Sequence, residues 1–367
     1  MPIFNQRRSL LTGTAALAAS ALLPGAVAAT LAPAASPAPV CLMPNARLPT
    51  IRPPRLKPGD TVALFNASGA IFERLPYVLA TESLQALGFK VREAPNLRAR
   101  YGHFAGTAQQ RADDINALFA DDSVQGLMAI IGGSGANRVL PLLDYGLMRS
   151  HPKVLAGFSD VTALLNAVNA RTGLVTFHAP VGTSDWNAFS TAQFRAVVMA
   201  ESIDGKPPAL RNSTDRGNSL VQRENRIQTL RPGIARGPLV GGNLSVLASL
   251  AGSHYLPSFD GACLFIEDIN EYIYRVDRML STLKLMGALD RLAGVVLGHF
   301  TNCNPGDGYG TLTLDEVFDD YFLPLGVPVF RGAMIGHIPQ KFTVPVGLDA
   351  EIDATAGTIS LLTQAVV

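Results

Sequence analysis

The chain predicts an α/β protein built on a parallel sheet with helices covering both faces. Three observations carry this. Short apolar runs alternate with stretches of helical spacing from Thr61 to Phe177. Some runs, such as 126–131, are apolar throughout, as expected for strands buried on both faces. Glycine-rich or polar turn clusters follow the runs at 66–69, 132–135 and 157–160.

In chain order, Gly59-Asp60 opens a strand over 61–65. Helical spacing covers 72–87, with Pro76 early and Gly88 at the end. A strand at 90–92 and a helix over 107–119 follow, the helix turning Ile115, Leu118 and Phe119 inward. After the strand at 126–131 comes a helix over 137–143, kinked at Pro141. The apolar run 154–156 is a strand, and from Val161 the set Val161, Leu164, Leu165 and Val168 marks a helix. Another strand spans 174–177. The pattern breaks down over 186–236, which reads as a linker between domains at 59–185 and 237–367. Beyond it the chain predicts a helix at 243–250, a strand at 262–266 and an amphipathic helix at 274–286. A strand at 294–297, a helix at 314–321, a strand at 327–330 and β-hairpins over 343–362 complete it.

Composition narrows the function classes. The 367 residues are 48% hydrophobic and 16% charged, enough for proper cores. The net charge of +1, with no long basic or acidic run, argues against nucleic acid as a partner. Three scattered cysteines, Cys41, Cys263 and Cys303, make neither a disulfide framework nor a zinc site.

The N-terminus reads as an address. Arg7-Arg8 precedes a mildly apolar stretch to Leu23, and Ala26-Val27-Ala28 has the small-x-small form of a cleavage site. The segment over 1–28 resembles a twin-arginine export signal, too short and weakly apolar for a stable membrane span. The expected location is periplasmic, with a flexible Pro/Ala-rich lead-in over 29–58.

The stretch 153–170 carries the candidate chemistry. A strand, the turn Gly157-Phe158-Ser159-Asp160 and a helix place a serine where a nucleophile elbow would. Its hydroxyl stands clear of the sheet, and the first N–H groups of the helix face whatever it attacks. Position 161, often glycine in such elbows, is Val161, and a plain helix cap by Ser159 or Asp160 accounts for the same residues. Gly132-Gly133-Ser134-Gly135, after a strand, can bring N–H groups close to an oxyanion or phosphate, or can simply turn the chain. Glu267, read at the end of a strand, can orient a histidine or pair with Arg275 or Arg278. His337 is a candidate base; His178 and His299 also follow strands and are rivals. Ser159, His337 and Glu267 would form a nucleophilic triad, with N–H groups of Asp160 and of Gly132 or Gly133 holding the tetrahedral oxyanion.

Several motifs in this order resemble one family. They are Leu56-Lys57-Pro58-Gly59-Asp60, Gly132 to Arg138, Gly157-Phe158-Ser159-Asp160-Val161-Thr162 and Thr176-Phe177-His178. Further on come Gly241-Gly242-Asn243-Leu244, Phe265-Ile266-Glu267-Asp268, Asp277-Arg278 and Gly336-His337. From about residue 55 to 362 the chain resembles the LD-carboxypeptidases, serine peptidases that trim muropeptides; the microcin self-immunity peptidases are similar. The resemblance implies a Ser, Glu, His triad at Ser159, Glu267 and His337 and a metal-free mechanism, with no cofactor expected. It implies a Rossmann-like parallel-sheet N-terminal domain and a smaller, β-rich C-terminal α/β domain. In many members it implies a homodimer, and the usual reaction is release of terminal D-alanine from murein tetrapeptides. Alternatives are a microcin-type peptidase acting on a peptide conjugate and a non-catalytic muropeptide-binding protein. Two positions depart from the family's glycine loop: Ile131 and Ser134 stand where it usually has arginine and tyrosine.

Overall fold

The computed structural model describes residues 47–200, 205–306 and 310–367. The export signal read over 1–28, Cys41 and the lead-in before residue 47 lie outside the described residues. From residue 47 the lead-in is tied down by main-chain bonds. Ile51 N–H donates to Gly173 O and Ile51 O accepts from Val175 N–H, both at 2.8 Å, and Leu56 is buried.

The first half alternates as the periodicity predicts. Strands β1 (Thr61–Phe65), β2 (Lys90–Glu93), β3 (Gly126–Ala129), β4 (Val154–Gly157) and β5 (Thr176–His178) are separated by helices. The helices are α1 (Leu75–Ala86), α2 (Ala108–Ala120), α3 (Tyr145–Ser150) and α4 (Thr162–Thr172). A capping box closes the start of α2, with Thr107 Oγ1 accepting from Gln110 N–H and the Gln110 side chain accepting from Thr107 N–H. The helix expected over 137–143 is instead two 3-10 turns, 136–138 and 140–142. Pro141 has no N–H and cannot continue a helix, whereas it fits the first turn of a new one.

The segment 186–236, read as a linker, is partly regular. It holds helix α5 (Ala188–Val198) and strands β6 (Ala209–Arg211) and β7 (Gln228–Arg231). Then follow β8 (Ile234–Asn243), α6 (Leu244–Ser249), β9 (Cys263–Ile269), α7 (Ile273–Leu285), β10 (Gly294–Thr301) and α8 (Leu314–Phe322). The chain ends with β11 (Val329–Arg331), β12 (Val344–Val346), β13 (Asp349–Asp353) and β14 (Thr358–Leu361).

Among the described residues the strands form two sheets, of six and eight strands. In the first, β1 to β5 run parallel in the order β5-β4-β3-β1-β2, and β12 adds antiparallel to β5 at the edge. Of the tail predicted as hairpins, only β13 and β14 form one; β12 crosses to the other sheet. Pro345 is tolerated there because an edge strand has one unpaired side. In the second sheet β8, β9, β10 and β11 run parallel, flanked by antiparallel β7 on one side and β13, β14 and β6 on the other.

Strand order in the first sheet reverses between β1 and β3, which opens a crevice beyond their carboxyl ends. The loops leaving those strands meet there, with Gly69 N–H donating to Gly132 O at 3.2 Å. Helix α4, nearly all buried, packs against β4 and β5 of the first sheet and β8 of the second. Its polar residues bind the second sheet: Asn166 Nδ2 donates to Gly241 O at 2.8 Å, and Thr162 Oγ1 accepts from Asn243 N–H at 3.0 Å. The helix behind Ser159 is thereby fixed to the strand beside Glu267, since Asn243 and Glu267 are register partners.

Candidate active site

Ser159 sits at the sharp turn between β4 and α4 with φ +62°. That left-handed conformation costs a non-glycine residue roughly 1–2 kcal/mol and is held only where the surroundings fix it. It makes no helix cap: α4 begins after Val161 without a side-chain cap bond. The elbow therefore forms with Val161 in place of the usual glycine.

The Ser159 hydroxyl meets His337 instead. Ser159 Oγ lies 2.9 Å from His337 Nε2, and His337 Nδ1 lies 2.7 Å from Glu267 Oε2. The three residues come from β4's turn, from β9 and from the segment between β11 and β12 that passes from one sheet to the other. Glu267 is not past the end of its strand, as the sequence suggested, but inside β9 and fully buried. It pairs with His337 rather than with Arg275 or Arg278; Arg275 is engaged by Glu271. Burial opposes ionisation of Glu267, but the ring N–H groups of His178 and His337 outweigh it and hold the carboxyl at about 2.

The rival histidines are placed elsewhere. His178 ends β5, buried between the Phe158 and Phe265 rings, with Nε2 3.9 Å from Glu267 Oε1. That gap is longer than a hydrogen bond, so His178 acts on the carboxylate through space. His299 lines a larger, adjoining cavity that His337 also borders, and burial pushes its imidazole below the ordinary value.

The glycine loop closes over the serine. A methyl group on Gly132 would stand 2.8 Å from Ser159 Cβ and 3.6 Å from Asp160 N, so only glycine lets the two backbones face each other here. Asp160 ties the loop down through its side chain, its Oδ2 accepting from Ala136 N–H at 2.8 Å. Burial pushes the Asp160 carboxyl up, against the Ala136 N–H and the nearby Arg111 guanidinium. The Ser68 hydroxyl faces the same carboxylate without a hydrogen bond of good geometry. Arg111, itself buried, bridges the two loops of the crevice through Ala67 O and Gly135 O.

Ser159, His337, Gly132 and Gly133 line a cavity of about 490 Å³. Ile131 lines it too, whereas Ser134 is exposed. One lining residue escaped the sequence reading. Lys341 is only 7% exposed, and its Nζ stands 4.2 Å from the centre of the Phe158 ring. Burial pushes its ammonium down to about 8, although Glu267 and Asp185 favour the charged form. Helical and strand periodicity carry no sign of such a residue; its only sequence signal is a lysine four positions after His337.

Comparison with known families matches both halves of the chain. The LD-carboxypeptidase N-terminal domain matches residues 62–179, and the LD-carboxypeptidase C-terminal domain matches residues 236–352. The chain belongs to the LD-carboxypeptidase family. It is a serine-type carboxypeptidase, a hydrolase. A probable murein peptide carboxypeptidase of Bacillus subtilis is 34% identical, covering 84% of this chain and 93% of that protein. The crystal structure of an MccF-like protein from Bacillus anthracis superposes with a TM-score of 0.76 at 26% identity, covering 86% of this chain and all of that one. A muramoyltetrapeptide carboxypeptidase from Oxalobacter formigenes has a TM-score of 0.69 at 27% identity, covering 82% of this chain and 97% of that one. The two-sheet α/β architecture of this LD-carboxypeptidase is thus shared along nearly the full length of its structural relatives.

Proposed function

We propose that this LD-carboxypeptidase releases the terminal D-alanine of murein tetrapeptides, with Ser159 as nucleophile, His337 as base and Glu267 as its orienting acid. The observation that carries the reading is the continuous hydrogen-bonded chain from Ser159 Oγ through His337 to Glu267. His337 Nε2 takes the hydroxyl proton as Oγ attacks the carbonyl carbon before the D-alanine nitrogen. The tetrahedral oxyanion is held by the N–H groups of Asp160 and of Gly132 or Gly133. His337 then gives its proton to the leaving amine, and D-alanine departs from the acyl-enzyme. Water, deprotonated by His337, cleaves the ester and regenerates Ser159. Throughout, ionised Glu267 holds the Nδ1–H of His337 and stabilises the imidazolium.

Mass spectrometry of a muropeptide digest tests the substrate class. Tetrapeptides should become tripeptides with D-alanine freed; a digest left unchanged would remove the murein assignment. One other reading is favoured by MccF, a structural relative solved in complex with glutamyl sulfamoyl guanosine and with aspartyl sulfamoyl adenosine: a peptidase for aminoacyl-sulfamoyl nucleosides. Adding such a conjugate to the same panel separates the two by which leaving group appears.

The N-terminal residues support a periplasmic site of action. Arg7-Arg8 and Ala26-Val27-Ala28 fit twin-arginine export followed by cleavage near Ala28. Replacing Arg7 and Arg8 together by lysine should leave the protein in the cytoplasmic fraction; unaltered export would remove this part of the proposal.

A further inference from the structure

A carboxypeptidase must recognise a free terminal carboxylate, and the triad has no group for that task. Glu267 is committed to His337, and its charge repels a second carboxylate. The cavity holding Ser159 nevertheless contains a cation. Lys341 reaches it from the same short segment that carries His337, and its main-chain N–H is anchored on Ser190 Oγ at 3.0 Å. Among the described residues no ion pair engages its Nζ. Instead the ammonium lies over Phe158, the residue immediately before the nucleophile. Glu267 and Asp185 act on it only from beyond ion-pair distance. A buried cation with no carboxylate in contact is costly, and a ligand carboxylate would complete the pair.

Dimensions agree. Terminal carboxylate and scissile carbonyl carbon belong to adjacent residues, about 4 Å apart. A substrate carbonyl at Ser159 Oγ therefore places the carboxylate within the small cavity that Lys341 lines. The larger cavity, about 1050 Å³, shares only His337, Ile338 and Pro339 with it and leaves room for the rest of the peptide.

We infer that the Lys341 ammonium binds the α-carboxylate of the residue to be released, and so restricts the enzyme to the last peptide bond. This rests on the carboxypeptidase reading above and names the residue that enforces it.

The test compares a murein tetrapeptide ending in D-alanine with the same peptide ending in D-alaninamide. Wild type should prefer the acid. In Lys341→Met, kcat/KM for the acid should fall about 10- to 100-fold, mostly through KM, while the amide changes less than about threefold. Lys341→Arg should restore part of the acid preference. Methionine removes the charge at similar volume, so the unfolding curve should be unchanged or shifted upward. Equal losses on acid and amide would make Lys341 structural and overturn the inference, as would a wild type indifferent to the amide. If wild type spares tetrapeptides but cleaves another peptide of the panel, the murein reading falls. The acid–amide comparison is then decided on that peptide.

Discussion

His337 Nε2 lies 2.9 Å from Ser159 Oγ, although 178 positions separate the two residues in the chain. The contact exists because the segment between β11 and β12 leaves the second sheet and ends as an edge strand of the first. On that path it passes over both β9, which carries Glu267, and the turn that carries Ser159. The fold thus brings an acid from one sheet and a nucleophile from the other to a histidine carried between them.

Glu267→Gln should separate orientation from binding. The glutamine keeps the shape but not the charge that stabilises the imidazolium. We expect kcat to fall by about 10²–10⁴ with KM changed less than a few-fold. Steady-state kinetics on a tetrapeptide check it; a matching rise in KM would mean that Glu267 serves binding.

The same carboxyl sets an acid-stability limit. Its value of about 2 in the folded chain lies below the ordinary 4.5. The unfolded chain therefore binds more protons between these values, and the contribution of Glu267 is full above about 4.5 and fades as pH falls toward 2. Denaturant unfolding at stepped pH should show wild type losing more stability across this window than Glu267→Gln. Parallel losses would contradict the pairing.

Gly132→Ala should be far more harmful to rate than to folding. The new methyl would crowd Ser159 Cβ, 2.8 Å away, and push the loop off the elbow. A loss of one oxyanion donor typically costs about 10²–10³ in kcat. Gly336→Ala should damage both, because φ is +116° there and the methyl would stand 2.7 Å from Glu267 Oε2. Paired kinetics and thermal unfolding distinguish the two variants.

Lys341 predicts an alkaline limb. The groups facing it are Glu267, Asp185 and the His337 ring across the cavity. With its ammonium at about 8 in the free enzyme, kcat/KM for the acid peptide should decline as pH rises through that value. Lys341→Met should lack that decline, and the amide substrate should lack it in wild type.

Much of the first sheet was legible because each strand and helix has a local period. The elbow at Ser159 was legible as a strand, a turn and a helix, but its left-handed backbone was not, since Val161 gives no glycine signal. Glu267 looked like a strand end because charge inside an apolar run normally stops it; tertiary pairing with His337 overrides that rule. The crossing to β12 was hidden because Val344-Pro345-Val346 reads equally as a hairpin arm, and only partner choice decides. Lys341 was illegible for a related reason: an inward-facing cation is defined by the cavity around it. The linker strands β6 and β7 are short and polar, and pairing rather than pattern makes them strands.

The most direct test of the proposed chemistry is D-alanine release from a murein tetrapeptide by wild type and by Ser159→Ala. The account predicts one D-alanine per tripeptide from wild type and at least about 10³-fold less from the variant, with superimposable unfolding curves. Undiminished release by a folded Ser159→Ala protein would contradict it.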